Sequence, residues 1–245
     1  MRKDKVRLDL LLVQQGLAES RETAKRMIMA GQVEVDGALQ DKPGHLTSAS
    51  SSLTIKNTSL PYVSRGGLKL EAALDRFSID VTGDTVLDVG ASTGGFTDCL
   101  LQRGAKRIIA VDVGYGQLHW KLRQDPRVTI LERTNIRYLR SDDLNTSIDG
   151  AVIDASFISL RLVVPPVSDL LQEHAYVIAL IKPQFEVGKG KVGKGGVVRD
   201  PLLHEEVIEG LSRFFEGLGW TVEGQMLSPL LGPKGNREFL VYLKR

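Results

Sequence analysis

The hydrophobic positions of the first sixty residues are spaced as in short helices and short strands. Leucines at helical intervals over 8–12, followed by Gly16, predict one helix. A second helix is predicted over 21–30, with Ser20 as its N-terminal cap and Gly31 at its end. The alternation of apolar and polar residues within QVEVDG and within SLTIK predicts short strands. A small α+β domain is therefore expected over residues 1–60.

From residue 61 the pattern changes to apolar strands that alternate with helices. LKLEAALDRF is amphipathic, and TVLDV, RIIAVDV, GAVID and YVIALIK are apolar segments, each followed by a turn or helix signal. This order predicts a parallel sheet covered by helices on both faces. WTVEGQML and EFLVYLK follow with no helix between them, so they predict a hairpin that adds one antiparallel strand. A second domain is expected over 61–245.

Charge differs between the two parts of the chain. Residues 1–69 contain 11 Lys and Arg against 7 Asp and Glu, a balance of +4, while the remainder has a balance of −2. This asymmetry fits a polyanion-binding module joined to a catalytic domain, or simply a solvated basic surface. Apolar runs are too short for a membrane span, and the N-terminus lacks the features of a signal peptide.

The lone Cys99 rules out an intrachain disulfide and favours a cytoplasmic protein. It lies on the predicted helix after the glycine loop, where a packed core residue is expected and not a nucleophile. The four histidines are scattered and lack the spacing of metal ligands, so no metal site is predicted.

The segment TVLDVGASTGGFTDCLL has the pattern of a cofactor-binding turn. A strand ends in Asp88, a loop contains Gly90, Gly94 and Gly95, and a helix follows. The next strand ends at Asp112, where a carboxylate can bind the hydroxyls of an adenosine ribose. The spacing G-x-x-x-G-G differs from the dinucleotide motif, and the preceding acid suits the cationic amino group of S-adenosylmethionine. The alternative is a purely structural glycine turn.

A second glycine-rich segment matches a nucleotide motif without its context. Gly188 to Gly193 spell G-x-G-x-x-G, but no helix is predicted to begin there. The P-loop pattern also fails, because Gly195 stands where a magnesium-binding Ser or Thr is required. We interpret 188–199 as a basic loop that either contacts RNA or is merely solvated.

Together these segments resemble the TlyA (haemolysin A) family, rRNA 2′-O-methyltransferases with an FtsJ-like catalytic domain. Residues 7–37 resemble the alpha-L RNA-binding module, and further matching motifs follow in the family's order: SRGGLKL, DVGASTGGFTD, VDVGYGQL, ERTN, DASFISL, LIKPQFE and GNREFL. The resemblance covers nearly the whole chain. It implies a Rossmann-like class I methyltransferase, with a mostly parallel seven-stranded sheet whose last strand is antiparallel, preceded by a small α+β RNA-binding domain.

The resemblance also implies the site residues. A Lys-Asp-Lys-Glu tetrad falls on Lys69, Asp154, Lys182 and Glu238. The cofactor-binding candidates are Asp88, Gly90, Ser92, Gly94, Gly95, Asp112 and Asn135. The RNA-binding candidates are Arg7, Arg21, Lys25, Arg26, Arg65, Lys189, Lys191 and Lys194.

The implied activity is transfer of a methyl group from S-adenosylmethionine to a ribose 2′-hydroxyl of rRNA, on cytidine in 16S or 23S rRNA or both. We expect Lys182 to orient the hydroxyl and take its proton late, Asp154 to position Lys182, and Lys69 with Glu238 to hold the ribose. The expected partner is rRNA within ribosomal subunits, with no metal, membrane or obligate protein partner. Alternatives are a non-catalytic ribosome-binding factor, a membrane-active haemolysin, and a methyltransferase of another RNA or of a base.

Overall fold

The structure, a computed structural model, describes residues 5–55, 60–188, 190–193 and 195–245. The chain divides into two compact units, residues 1–65 and 66–245, each with its own hydrophobic core. The division falls after Arg65, whereas the sequence pattern placed the boundary between residues 60 and 61. Among the described residues, no helix is both long enough and apolar enough to cross a membrane.

The described part of the N-terminal unit contains two helices and five three-residue strands. Its elements are β1 (Lys5–Arg7), α1 (Leu8–Gln14), α2 (Arg21–Met29), β2 (Val33–Val35), β3 (Ala38–Gln40), β4 (Leu46–Ser48) and β5 (Leu53–Ile55). Strands β1 and β4 form an antiparallel pair, and β2 lies between β3 and β5 in an antiparallel sheet. Both predicted helices and both predicted strands are present. The hydroxyl of Ser20 accepts a hydrogen bond from the Thr23 amide at 3.1 Å, so the predicted cap is confirmed.

The second unit alternates strands with helices. Its strands are β6 (Thr85–Val89), β7 (Arg107–Val111), β8 (Val128–Leu131), β9 (Gly150–Ile153), β10 (Tyr176–Ile181), β11 (Thr221–Leu227) and β12 (Phe239–Lys244). Its helices are α3 (Gly66–Phe77), α4 (Gly95–Gln102), α5 (Trp120–Arg123), α6 (Leu160–Ser168), α7 (Pro183–Glu186) and α8 (Pro201–Gly217).

The seven strands form one sheet in the order β11-β12-β10-β9-β6-β7-β8. Strand β12 is antiparallel to both of its neighbours, while the pairs among β6 to β10 are parallel. The predicted Rossmann-like sheet and its antiparallel last strand are therefore confirmed. The sheet core is aliphatic, and Phe215 and Trp220 fill its largest buried positions on one side.

This topology brings the functional residues to one edge of the sheet. The carboxyl ends of β6, β7, β9 and β10 lie at the same edge, and β12 begins there because it runs in the opposite direction. Ligands of open α/β sheets bind at this edge, where the loops that follow the strands converge.

Candidate active site

The four residues of the predicted tetrad lie at this edge of the sheet or on α3. Asp154 directly follows β9, Lys182 directly follows β10, and Glu238 directly precedes β12. Ile181 pairs with Phe239 at the end of the antiparallel ladder between β10 and β12. Lys182 and Glu238 therefore face each other one position beyond this last pair. Lys69 lies in the first turns of α3.

Lys69 and Glu238 form a buried ion pair. The Nζ atom of Lys69 donates to Oε2 of Glu238 at 2.6 Å, and the carboxylate side chain is fully buried. The other oxygen, Oε1, has no hydrogen-bond partner among the described residues and packs against Gly232. Moving Lys69 away would leave the Glu238 carboxylate buried and unpaired, which is unfavourable. The pair therefore holds the Lys69 ammonium in one place.

Lys182 pairs with Asp154 and with a serine that the sequence analysis did not select. Its Nζ atom lies 2.5 Å from Oδ1 of Asp154 and donates to Oγ of Ser156 at 2.7 Å. Only 8% of the Lys182 side chain is exposed, against 23% for Asp154. The structure thus arranges the tetrad as two lysine–carboxylate pairs, with a third polar group on Lys182.

A cavity of about 430 Å³ has Asp154 and Ser156, the two partners of Lys182, in its wall. Its wall includes four predicted site residues, each from a different loop at this edge of the sheet: Gly90, Asp112, Asn135 and Asp154. Ser92, also predicted, lines the same cavity. Its size and its mixture of apolar wall and few polar groups are those of a small-molecule site.

Asp112 organises the loops around this cavity. Its two carboxylate oxygens accept hydrogen bonds from the amides of Ser92 and Gly114, at 2.8 and 2.7 Å. Gly90 has a φ of +84°, and a Cβ there would lie 2.8 Å from the Asp154 carbonyl oxygen. A side chain at this position would therefore separate the two strand ends that form the cavity wall.

Asn135 has a structural contact as well as a place in the cavity wall. Its Oδ1 atom accepts a hydrogen bond from the Arg137 amide at 3.1 Å and caps a short 3₁₀ turn. Gly94 and Gly95 lie at the start of α4 and are not among the residues of the wall. A Cβ at Gly94 would collide with Leu122, so this glycine is required by packing against α5.

Asp88 is the predicted cofactor residue whose environment differs most from expectation. It is fully buried and is not among the residues of the cavity wall. Oδ2 accepts a hydrogen bond from the Thr97 hydroxyl at 2.6 Å, which ties the end of β6 to α4. Burial, together with the nearby Asp154 and Asp112 carboxylates, raises the pKa of Asp88 to about 7.

A second cavity, of about 450 Å³, adjoins the first through Ser156 and Phe157, which line both. Phe157 has a φ of +64° and is 89% exposed, and its ring centroid lies 5.1 Å from that of Phe185. A left-handed backbone at an exposed phenylalanine is strained, and such strain is concentrated at functional sites. Phe157 is the last residue of the DASF motif in the sequence. The motif does not indicate the backbone conformation that exposes the ring.

Glu186 is a further residue that the sequence analysis did not select. Its carboxylate accepts hydrogen bonds from the Ser159 hydroxyl at 2.6 Å and from the Leu160 amide at 2.8 Å. Burial raises the pKa of Glu186. The contact joins α7, which follows Lys182, to the start of α6, which follows the Asp154–Phe157 loop.

The predicted RNA contacts of the N-terminal unit are partly engaged with acidic residues. Arg7 binds both oxygens of the buried Asp9 at 2.9 Å, and Arg21 binds one of them at 3.0 Å. These contacts, the Arg7 hydrogen bonds foremost, lower the pKa of Asp9 to about 2. Lys25 and Arg26 are exposed on α2. Arg65 pairs with Asp41 at 3.3 Å.

The predicted contacts of the Lys/Gly loop are described only in part. Lys189 and Lys194 lie outside the described residues. Lys191 pairs with the exposed Glu206 of α8 at 2.6 Å. The next helix begins only at Pro201, so the G-x-G-x-x-G segment is not followed directly by a helix.

Arginines and exposed aromatic rings also lie together near the first cavity. The guanidinium of Arg133 lies 4.3 Å from the ring centroid of Tyr115, and that of Arg137 lies 5.5 Å from the centroid of Tyr138. Both tyrosines are exposed. Contacts between cations and aromatic faces are common in nucleic-acid binding. Arg137 and Tyr138 are neighbours in the sequence, whereas no sequence spacing relates Arg133 to Tyr115.

Comparison with known proteins identifies the class. Residues 62–245 match the family model of the FtsJ-like methyltransferase, and residues 6–49 match that of the S4 domain. The fold and the site are therefore those of a methyltransferase with an attached S4 domain.

Similar proteins narrow this class. YqxC of Bacillus subtilis is 51% identical over 99% of this chain and 87% of that protein. The Mycobacterium tuberculosis protein named 16S/23S rRNA (cytidine-2′-O)-methyltransferase TlyA is 48% identical over 98% of this chain and 90% of that protein. A solved structure from Streptococcus thermophilus, designated a hemolysin, is 47% identical with a TM-score of 0.78, covering 99% of this chain and 89% of that one. The chain belongs to the TlyA family of FtsJ-like methyltransferases.

Proposed function

We propose that this protein transfers the methyl group of S-adenosylmethionine to a ribose 2′-hydroxyl of rRNA, with cytidine as the acceptor nucleoside. The observation that carries the proposal is the pair of lysine–carboxylate contacts, Lys182 with Asp154 and Lys69 with Glu238, together with the first cavity, whose wall includes Asp154. The names of the relatives supply the rRNA and the cytidine. A ribosomal substrate in turn implies a cytoplasmic location.

The residues of the first cavity fit S-adenosylmethionine. Asp112, at the tip of β7, offers carboxylate oxygens for the hydroxyls of an adenosine ribose. Asn135 and Ser92 add polar groups to the wall, and Gly90 allows the close approach of two strand ends. When bound, S-adenosylmethionine supplies an electrophilic methyl group on a positively charged sulfur.

Lys182 and Asp154 would handle the hydroxyl proton. Lys182 is held by two oxygens, from Asp154 and Ser156, so its Nζ atom has a fixed position from which to orient the acceptor hydroxyl. The hydroxyl proton would leave toward this ion pair, in which the Asp154 carboxylate lies 2.5 Å from Nζ. This proton moves late, as the new bond to the hydroxyl oxygen forms.

Lys69 and Glu238 would position the ribose. Glu238 fixes the Lys69 ammonium, which still has N–H donors to offer to sugar or phosphate oxygens. The exposed Phe157 ring and the Arg133–Tyr115 pair provide surfaces on which RNA bases and phosphates can rest.

Replacement of Lys182 tests the proposal. With labelled S-adenosylmethionine and 30S or 50S subunits that lack the modification, we expect wild-type protein to form a 2′-O-methylated cytidine. Lys182→Ala should lower the rate by at least about 100-fold, the usual contribution of a positioned proton-transfer group. Cofactor binding should be retained, because Lys182 is not among the residues of the first cavity's wall.

Lys106→Ala is the matched control, since this exposed lysine precedes β7 at the opposite edge of the sheet. It should methylate at the wild-type rate. Wild-type protein that binds the cofactor but labels neither subunit would contradict the proposal, as would label on a base instead of a ribose.

A further inference from the structure

The second cavity combines an apolar surface with positive charge. Its wall includes two lysines, Lys182 and Lys234, and the described residues of this wall include no aspartate or glutamate. The apolar part of the wall comes from Phe157, Phe185, Val192 and Pro233. A volume of about 450 Å³ is that of a small-molecule site. The cavity therefore suits a ligand that carries both an apolar group and an anionic group.

The two lysines differ in how their charge is balanced. The Lys182 ammonium is paired with Asp154. Lys234 is exposed, and no carboxylate in the described ranges of the chain forms an ion pair with it. A Cβ at Gly196, another wall residue, would lie 3.5 Å from the Lys234 Nζ atom, so this ammonium lies beside the cavity. Of the two lysines, Lys234 is the one whose charge is free to neutralise an anion.

Lys234 has a backbone conformation that residues other than glycine rarely adopt. Its φ is +61°, in the left-handed region, as is the φ of Phe157 in the same wall. The turn that contains Lys234 is held by Asn236, whose Nδ2 atom donates to the carbonyls of Pro233 and Gly196 at 3.0 Å. A glycine would adopt this conformation without strain, and strained backbones are concentrated at functional sites. The strain at Lys234 therefore indicates a use for its side chain.

We propose that the Lys234 ammonium binds a backbone phosphate of the acceptor nucleotide, the rest of which occupies the second cavity. The inference rests on the proposed function, which places the acceptor ribose hydroxyl at Lys182. Both lysines belong to the wall of one cavity, so one ligand within it can reach both. A lysine binds a phosphate as a point charge and does not read the base, so Lys234 would fix the position of the nucleotide without choosing the nucleoside.

Two variants of Lys234 test the proposal, with methyl transfer to ribosomal subunits as the measurement. Lys234→Gly removes the charge and also the backbone strain, so it should unfold at an equal or higher denaturant concentration than wild-type protein. Its kcat/KM for subunits should nevertheless fall about 10-fold, the value of one hydrogen bond to a charged group. Lys234→Arg keeps the charge and should retain most of the activity.

A phosphate contact at the acceptor nucleotide has two further signatures. Part of the loss in Lys234→Gly should persist at saturating concentrations of subunits, because the contact helps to place the ribose hydroxyl and does not only hold the RNA. The slope of log kcat/KM against log salt should fall by roughly 1, as expected for one phosphate that is no longer neutralised. Affinity for S-adenosylmethionine should not change, because Lys234 is not among the residues of the first cavity's wall.

Lys106→Ala removes the same charge at the opposite edge of the sheet and should change neither kcat/KM nor the slope. An equal loss in Lys106→Ala and Lys234→Gly, or wild-type kcat in Lys234→Gly at saturating subunits, would overturn the assignment of Lys234 while leaving ribose methylation in place. If Lys234→Gly is less stable than expected, Lys234→Asn gives an independent comparison, because asparagine also tolerates a left-handed backbone. If wild-type protein forms no 2′-O-methylated nucleoside at all, the proposed function fails, and the assignment of Lys234 fails with it.

Discussion

A single buried carboxyl, Asp88, shows how environment decides what a residue does. The sequence motif predicts a carboxylate that binds the cofactor's amino group. In the folded protein the group is fully buried, bonded to Thr97, and its pKa is raised to about 7. A carboxyl that is about half protonated near neutral pH and ties β6 to α4 has a structural contact of its own, beside the cofactor role predicted from the motif.

Asp88→Asn should therefore change how stability depends on pH. Because the pKa is higher in the folded state than in the unfolded state, wild-type protein loses stability as pH rises from about 4 to about 7. The contribution of Asp88 to this loss should be roughly 3 kcal/mol, and the variant should lose less stability by that amount. Denaturant unfolding at pH 5 and pH 8 measures it, with the exposed Asp142→Asn as a control that follows wild-type behaviour.

The same variant distinguishes the two roles of Asp88. Loss of a direct charged hydrogen bond to the cofactor would weaken S-adenosylmethionine binding by more than about 10-fold. A structural role predicts a smaller change. Calorimetric titration at pH 7 gives the answer, and a large loss of affinity without a change in the pH profile would restore the direct contact predicted from the motif.

Among the elements, the short helix α7 has an influence beyond its length. Glu186, its last residue, holds the start of α6, and the loop between β9 and α6 carries Asp154, Ser156 and Phe157. Lys182 precedes the same helix. The Glu186 contacts therefore link the segment after β10, which begins with Lys182, to the segment after β9, which begins with Asp154. The Lys182–Asp154 ion pair is the other link between these two segments.

Glu186→Ala should loosen this loop. Loss of both hydrogen bonds at the start of α6 should lower the free energy of unfolding by about 1 to 2 kcal/mol, as expected for loss of an N-terminal cap. The rate of methyl transfer should fall by a larger factor than partial unfolding alone would cause, because the loop lines both cavities. Glu186→Gln keeps one acceptor oxygen. Its stability in denaturant unfolding and its rate in labelled transfer should lie between those of Glu186→Ala and wild-type protein. Equal activity of Glu186→Ala and wild-type protein would contradict this.

The elements also show what could be predicted from the sequence. The apolar segments TVLDV, RIIAVDV, GAVID and YVIALIK identified the central strands, and the absence of a helix before EFLVYLK identified the antiparallel one. Strands β1, β3, β4 and β8 were not predicted. Strands β2 and β5 are as short as β1, β3 and β4, but each has apolar residues on both sides of a polar one, which makes their alternation recognisable. The four strands that were not predicted exist because neighbouring strands supply their hydrogen bonds, which local sequence does not record.

The site residues that adjoin the central strands could be predicted because those strands could be predicted. Five predicted residues stand beside strand ends, and the order of strands determines which edge they share: Gly90, Asp112, Asp154, Lys182 and Glu238. Lys69 lies on α3 and was indicated only by the family resemblance. Ser156 and Glu186 were missed because their roles depend on contacts between residues 26 or 27 positions apart. Such features arise only from the packing of separate elements.

For the whole molecule, the two units are expected to perform separate tasks, with rRNA as the proposed partner. The pairing of Arg7 and Arg21 with Asp9 consumes part of their hydrogen-bonding capacity. Lys25 and Arg26 are exposed on α2 and available to phosphates. Phosphate contacts of this kind contribute affinity that depends strongly on salt and little on sequence.

The double variant Lys25→Ala, Arg26→Ala should weaken binding to ribosomal subunits and leave S-adenosylmethionine affinity unchanged. The slope of log affinity against log salt should fall by roughly 1 for each phosphate that the variant no longer neutralises. Filter binding at several salt concentrations measures the slope. Glu22→Ala, an exposed acid in the first turn of the same helix, is the matched control and should not reduce the slope. An unchanged slope in the double variant would show that α2 does not face the phosphates.

The Lys69–Glu238 contact joins residues 169 positions apart, and β12, which follows Glu238, is inserted between two other strands. Closing so long a loop is entropically unfavourable until the intervening sheet exists to receive the strand. The parallel strands β6 to β8 and the segments that follow them supply most of the proposed cofactor wall, and they can pair before that closure. We therefore expect the Lys69–Glu238 pair to form later in folding than the cofactor wall, so that a chain without β12 in place could hold a cofactor and not use it.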